Sequence, residues 1–213
     1  MEPATAPDVA FERMQLDDHS WIDVARGWLV GADELFGYLR DHVSWQQGKV
    51  WRYEKWVEEP RLGAGGSLRN PHHPVLADVQ RAIARKYRAS FDGFGLAYYR
   101  DARDSVAMHR DREMRWLDDT VVAILTTGAT RPFLVQARSA WDTSAALDLA
   151  PASGDLMVFG GRFQADWLHG VPKVRGRAVR GRISAQWRYT SKRGRRDTMP
   201  GYYAPREFSR GRS

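Results

Sequence analysis

Asp119-Thr-Val-Val-Ala-Ile-Leu-Thr-Thr127 is a strand-length run, and Gly128-Ala-Thr-Arg-Pro132 closes it. Glycine and proline placed there end a strand and begin a turn. The same unit recurs through the second half of the chain, at 94–100, 105–110, 132–138, 145–150, 155–159, 165–169 and 180–190. Pro151-Ala-Ser-Gly154-Asp155, Gly160-Gly161 and Gly176 supply further turn signals. Eight short strands with no helix between them predict an antiparallel sandwich or jelly roll. In such a roll, side chains from separate strands converge inside the open end. No internal repeat is present.

The first half reads differently. Residues 1–16 look like a loose lead-in. Asp33-Glu34-Leu35-Phe36 through Val43 has apolar residues at 35, 36, 39 and 43. That spacing predicts a packing helix, with an acidic pair suited to its N-terminus. Asn70-Pro71-His72-His73-Pro74 reads as a turn, and Pro74 suits the first turn of a helix. Val75, Val79, Ala82, Ile83 and Tyr87 continue a helical stripe, a buttress behind the sheet. Between the two helices, Trp51, Tyr53 and Trp56 alternate with Arg52 and Lys55. They fit a lid that stacks bases and touches phosphates, or equally a strand with aromatic core residues.

Composition sets bounds. With 213 residues the chain suits one domain with a sizeable core. It has no cysteine, which excludes disulfides, thiolate metal sites and cysteine nucleophiles. No run of 18 apolar residues occurs, and the N-terminus lacks a secretory pattern, so the expected location is the cytoplasm. The net charge of +7 is uneven. Residues 192–213 carry +5 and residues 172–188 carry +6, which leaves the rest slightly acidic. Basic charge gathered near one end favours a polyanionic partner such as nucleic acid, although the tail alone reads equally well as a solvated, extended segment.

The chemistry concentrates in Met108-His109-Arg110-Asp111-Arg112-Glu113. Residues two apart on a strand share a face, so His109 and Asp111 can reach one metal ion together. His169 lies 58 residues beyond Asp111. Two histidines and one carboxylate with open positions form the facial triad of non-haem Fe(II) oxygenases. Thirteen residues after His169 begins Arg182-Ile-Ser-Ala-Gln-Trp-Arg188, whose alternation puts Arg182, Ser184, Gln186 and Arg188 on one face. A polar face inside a roll needs a reason, and a dicarboxylate ligand supplies one, because arginine is the natural clamp for a carboxylate.

These pieces together resemble the AlkB-like Fe(II)/2-oxoglutarate dioxygenases. The matching segments are Tyr99-Arg-Asp, His109-Arg-Asp111-Arg-Glu113, Gly154-Asp155-Leu-Met-Val-Phe, Trp167-Leu-His169-Gly-Val-Pro172 and Arg182-x5-Arg188, in the family's order and spacing over roughly residues 50–190. The resemblance implies an α+β fold: a double-stranded β-helix (jelly roll) with N-terminal buttressing helices and a nucleotide-recognition lid. The expected layout is helices and lid over 1–90, catalytic core over 91–190 and a basic tail over 191–213, in one structural domain and as a monomer. It implies Fe(II) on His109, Asp111 and His169, with 2-oxoglutarate and O2 as co-substrates. Arg182 would grip the distal carboxylate, Arg188 would lie near the metal-bound end, and Tyr99 and Ser184 would donate hydrogen bonds. Glu113 would accept a hydrogen bond from the target base; its plain alternative is an ion pair with Arg112 or Arg115. The lid residues Trp51, Tyr53, Trp56 and Arg61 would contact substrate.

Three departures stand out. Many members carry asparagine where this chain has Ala97 and Ser184, and the aromatic that often follows Pro60-Arg61 is replaced by Gly63-Ala64-Gly65-Gly66. The implied activity is DNA repair by oxidative demethylation of bases of the 1-methyladenine and 3-methylcytosine type, releasing formaldehyde, succinate and CO2. Two other readings fit the same residues: this chemistry on RNA or a non-nucleic-acid substrate, or a jelly-roll nucleic-acid-binding module without turnover.

Overall fold

The structure, a computed structural model, describes the chain except for residues 53, 112, 113, 115, 116, 141–144, 176–178, 191–205 and 211–213. Its elements in order are β1 (Ala4–Thr5), β2 (Glu12–Gln15), β3 (Ser20–Ala25), β4 (Leu29–Val30), α1 (Ala32–His42), β5 (Gln46–Arg52), β6 (Lys55–Gly66), α2 (Pro74–Tyr87), β7 (Phe94–Tyr99) and β8 (Val106–His109). There follow β9 (Thr120–Gly128), β10 (Leu134–Ala137), β11 (Leu147–Asp148), β12 (Leu156–Gly161), α3 (Phe163–Asp166), β13 (Trp167–Val171), β14 (Arg182–Thr190) and β15 (Arg206–Arg210).

Two sheets face each other. The major sheet has the order β15-β5-β6-β7-β14-β9-β12-β3-β2, and the minor sheet β11-β10-β13-β8. All pairings are antiparallel. A separate two-stranded piece joins β1 to β4. This is the jelly roll expected from the repeated strand–turn units.

Period-2 alternation sorts the major sheet into two faces. Phe94, Leu96 and Tyr98 of β7, Ala123 and Leu125 of β9, and Ile183, Ala185 and Trp187 of β14 pack with Leu35 and Leu39 of α1 and Val75, Val79 and Ile83 of α2. The opposite face gives Ala97 and Tyr99, Val122 and Ile124, and Met157 and Phe159 to a second core shared with Phe133, Val135 and Val171. The even-numbered residues of β14 therefore point between the sheets, where the site lies. Trp187, fully buried on the other face, donates its indole N–H to Gln80 Oε1 of α2 at 3.1 Å and locks the orientation of β14.

Several expectations need correction. Residues 1–16 are not a loose lead-in: β2 pairs with β3, and β3 is a full strand of the major sheet beside β12. Ser20–Ala25 is buried apart from Trp21 and carries Asp23 inside the sheet, so its pattern does not read as a simple strand. Strand β6, before residue 90, pairs with β7, after it, in the same sheet. The segment expected at 145–150 is only two residues of strand. In the tail, Arg206–Arg210 pairs with β5 rather than trailing free; residues 191–205, and the turn expected at Gly176, lie outside the described residues. The Pro-His-His-Pro segment is a loop as read, with His73 capping α2 by accepting from Val75 N–H at 3.2 Å. No helix among the described residues is long and apolar enough to cross a membrane.

The stretch expected to form a lid is a β5–β6 hairpin. Its register slips between Gln47 and Lys49, leaving Gly48 opposite residues 59–61. Gln47 fills the irregularity by donating its amide to the Glu59 carbonyl at 2.6 Å. Pro60 is tolerated in a strand because it sits in this bulge, where a ladder N–H is not required.

Candidate metal and co-substrate site

His109 ends β8 and stands directly opposite His169 of β13 in the minor sheet. Their rings are 4.4 Å apart. Asp111 lies just beyond the end of β8, not on it as the alternation suggested. It is placed instead by two hydrogen bonds: its N–H donates to Gln164 Oε1 at 2.7 Å, and its carbonyl accepts from Met114 N–H at 3.1 Å. The result still brings one donor atom from each of His109, Asp111 and His169 within 4.8 Å of one another.

The surroundings prepare these groups as ligands. His109 Nδ1 sits 2.9 Å from the Ala107 carbonyl, so that nitrogen carries the proton. Nε2 is left 3.6 Å from Asp111 Oδ1 with its lone pair free. His169 is buried among Phe133, Phe159 and Phe163. Burial, reinforced by the neighbouring His109, pushes its imidazole down to about 3. The ring is neutral at pH 7, the form that binds a metal. Burial alone would raise the Asp111 carboxyl, but the His109 ring beside it and the Arg188 guanidinium hold it well below the usual carboxylate range. Gly170 follows His169 because β13 runs so close to β8 that a Cβ there would lie 3.0 Å from Met108 N and the Val106 carbonyl.

Strand β14 carries the second half of the site. Arg188 Nε donates to Asp111 Oδ2 at 2.8 Å, and its Nη2 donates to Gln186 Oε1 at 2.6 Å. Six residues along the same face, Arg182 is 0% exposed. It donates Nη2 to Thr126 Oγ1 at 3.2 Å, while Nε and Nη1 have no partner among the described residues. Burial lowers its guanidinium to about 10, against an opposing contribution from Tyr99. Tyr99 is its register neighbour on β7, with the ring centroid 5.8 Å from the guanidinium carbon. Ala97 and Ser184, two of the departures noted above, face each other directly across β7 and β14.

Both implied groups pass a test of fit. An all-N/O donor set with three protein ligands leaves positions open, as Fe(II) oxygenases require. A fully buried cation with two unsatisfied N–H donors would be costly on its own, and a carboxylate removes that cost.

The substrate residues are less gathered. Trp51 and Trp56 pair across the hairpin with rings 5.5 Å apart at 72°, and Trp56 is 39% exposed. Arg61 lies beside Glu59, 3.7 Å away. Its neighbour Leu62 faces the helix-side core, which leaves Arg61 on the Tyr99 face of the sheet. Tyr53 and Glu113 lie outside the described residues. Sequence reading missed Gln164, since nothing local marks a glutamine in a one-turn helix as the anchor of a residue 53 positions away. Gln164→Leu is expected to leave the Asp111 N–H buried and unpaired. It should cost roughly 1–3 kcal/mol of stability and lower metal affinity about 10–100-fold, read by urea unfolding and Mn(II) titration.

The profile of the 2OG-Fe(II) oxygenase superfamily matches residues 68–196. Alpha-ketoglutarate-dependent dioxygenase alkB homolog 3 of Bos taurus is 31% identical over 160 residues, 67% of this chain and 56% of that protein. DNA oxidative demethylase ALKBH2 of Homo sapiens is 25% identical over 178 residues, 74% of this chain and 68% of that protein. The chain thus spans just over half the length of the alkB homolog 3 relatives. Among solved structures, a prolyl hydroxylase from Trichoplax adhaerens, in complex with a hypoxia inducible factor oxygen degradation domain peptide fragment, has the same fold: TM-score 0.59 over 80% of this chain and 84% of that one, at 11% identity. A 2OG-Fe(II) oxygenase family oxidoreductase from Burkholderia pseudomallei gives 0.53 over 82% and 87%, at 14% identity. With the His-Asp-His cluster, the buried arginine and the jelly roll now in place, the chain belongs to the 2OG-Fe(II) oxygenase superfamily, as an AlkB-like member.

Proposed function

We propose that the chain is an oxidative demethylase of N-alkylated nucleic-acid bases, acting on DNA lesions of the 1-methyladenine and 3-methylcytosine type. One observation carries the reading: a single strand, β14, ties the metal cluster to a buried cation, through Arg188 at Asp111 and Arg182 six residues away. In this reading His109, Asp111 and His169 hold Fe(II), and Arg182 takes the distal carboxylate of 2-oxoglutarate. Tyr99 and Ser184 line the same pocket. Arg188 keeps Asp111 ionised and fixed in direction.

Held by His109, Asp111 and His169, Fe(II) with 2-oxoglutarate and O2 would supply the oxidation, one oxygen atom going to succinate as CO2 leaves and the other to the N-methyl carbon as a hydroxyl. The resulting N-hydroxymethyl base then breaks its N–C bond, losing formaldehyde and the hydroxyl proton. The aromatic wall of Phe133, Phe159 and Phe163 keeps water from the buried side of the cluster.

A base in a stacked duplex cannot reach such a cleft, so the substrate is flipped or single-stranded. Phosphate affinity fits the exposed Lys173, Arg175 and Arg180, which lie between β13 and β14. The β5–β6 hairpin, with Trp51, Trp56 and Arg61, is assigned to substrate contact, and Glu113 and Tyr53 keep the same assignment from the resemblance. The DNA assignment follows the names of the relatives, one of which is a DNA oxidative demethylase.

The direct test is formaldehyde release from a methylated single-stranded DNA oligonucleotide with Fe(II), ascorbate and 2-oxoglutarate, each omitted in turn. Release that requires both iron and 2-oxoglutarate supports the proposal. Succinate without formaldehyde moves the substrate to RNA or another class, and neither product favours a binding module. Trp56→Ala is expected to weaken oligonucleotide binding by about 1–3 kcal/mol, the worth of one base–aromatic stack. 2-Oxoglutarate binding should be untouched, so a fall in both would place Trp56 in the fold rather than at the substrate.

A further inference from the structure

Arg131 has no role in the site as described, yet it is 1% exposed. It follows the Gly128-Ala-Thr turn and precedes β10. Among the described residues its guanidinium donates only to backbone carbonyls: Nη1 to Asp101 at 2.6 Å, and Nη2 to Asp104 at 2.7 Å and Pro172 at 3.4 Å. The nearest carboxylates are engaged elsewhere, Asp104 with Arg100 and Asp101 with Arg103. Arg131 Nε has no partner among the described residues. The guanidinium carbon lies 5.5 Å from the centroid of the Tyr99 ring, the same ring that Arg182 approaches at 5.8 Å.

Two buried arginines therefore approach one buried tyrosine, with three donor nitrogens unpartnered and no hydrogen-bonded carboxylate on either among the described residues. Like charges in a poorly solvated interior repel, and each lowers the other's tolerance for burial. Each guanidinium is in fact held below its ordinary range by burial, and Arg131 contributes to the lowering at Arg182. The Asp104 and Asp101 carboxylates act on Arg131 only at a distance, each already paired with another arginine. A distal carboxylate bound at Arg182 would lie in the field of both cations, and an acid without it leaves both unanswered.

We propose that Arg131 is a specificity-determining and positioning residue of the co-substrate pocket: it supplies a second buried positive charge behind Tyr99 and so selects a doubly charged 2-oxo acid over a singly charged one. Through its carbonyl bonds it also ties the 100–105 loop and Pro172 to the start of β10, which fixes the backbone that follows Tyr99. The inference rests on the co-substrate reading above and deepens it. Arg131 itself does not contact the metal cluster or the reacting atoms.

The test uses the full chain loaded with Mn(II), so that binding is read without turnover. 2-Oxoglutarate and 2-oxopentanoate, its analogue without the distal carboxylate, are each titrated by calorimetry into the wild type, Arg131→Gln and Arg131→Lys. The wild type is expected to prefer the dicarboxylate strongly. Arg131→Gln should narrow that preference by about tenfold, the size of one lost charge interaction across a partly screened interior. Arg131→Lys keeps the charge and should hold the wild-type preference, even where its melting temperature drops because the carbonyl bonds are gone.

An unchanged preference in folded Arg131→Gln, with both affinities falling together, would reduce Arg131 to a structural strut and overturn the proposal. If Arg131→Gln does not fold, Arg131→Lys decides: a collapsed preference in the folded lysine variant means that charge is not what selects. A wild type that binds neither acid overturns the co-substrate reading instead, so the two failures are distinguishable.

Discussion

Asp111→Asn is expected to abolish iron- and 2-oxoglutarate-dependent turnover while leaving the protein folded. The amide has the carboxylate's shape, so the backbone bond to Gln164 survives and Met114 can still bond the Asp111 carbonyl. Arg188 loses its ionic partner, but its side chain is 37% exposed and can reach water. The structural cost should therefore stay within roughly 1–3 kcal/mol. The metal, by contrast, loses its only anionic protein ligand. Loss of metal affinity should exceed the roughly 10–100-fold typical of changes one shell further out. Mn(II) titration and succinate release measure it, with far-UV circular dichroism as the control for folding. Substantial turnover in the folded variant would remove Asp111 from the metal site. His109→Ala should behave alike, with an even smaller structural cost, because that ring lies at the rim and is partly exposed.

Arg182→Met should give effects of opposite sign on stability and binding. The guanidinium is fully buried, and among the described residues two of its nitrogens have no partner and only Thr126 receives a hydrogen bond. Exchanging a buried, poorly paired charge for an apolar side chain of similar size is often neutral, or stabilising by roughly 1–4 kcal/mol. The ligand-free protein is thus expected to melt at the same temperature as the wild type or higher. Affinity for 2-oxoglutarate should fall by about a hundredfold or more, since each charge-assisted hydrogen bond is worth about 1.5–3 kcal/mol. Thermal melts with and without 2-oxoglutarate read both at once: the ligand-induced shift disappears while the baseline holds or rises. A variant that is less stable without ligand yet still shifted by it would make Arg182 a structural cation rather than a binding one.

The relation between these two residues shows how much of the site was legible from the chain. Arg182 and Arg188 share a face by local spacing, because a strand's period of two fixes which side chains do so, and β14 obeys it from Arg182 to Arg188. The two helices were legible for the same reason: the stripes at 35–39 and 75–83 are the residues that they bury. Asp111 was legible as a ligand but not in its placement. It has left the strand by the time it reaches the metal cluster, and Gln164 from a distant one-turn helix sets it there. Strand β3 was missed because a buried Asp23, satisfied by Arg13 and Tyr87, breaks the apolar pattern that marks a central strand.

Sequence alone thus determined the family of strands, the faces of the helices and the types of ligand, since these depend on periodicities of a few residues. Only the tertiary structure decided that Arg131 and Arg182 flank one tyrosine, that Trp187 locks β14 through Gln80, and that the hairpin bulges at Pro60. Those contacts join residues far apart in the chain, and burial sets the electrostatic energy of each. Burial is a property of the packed whole, which no local pattern encodes.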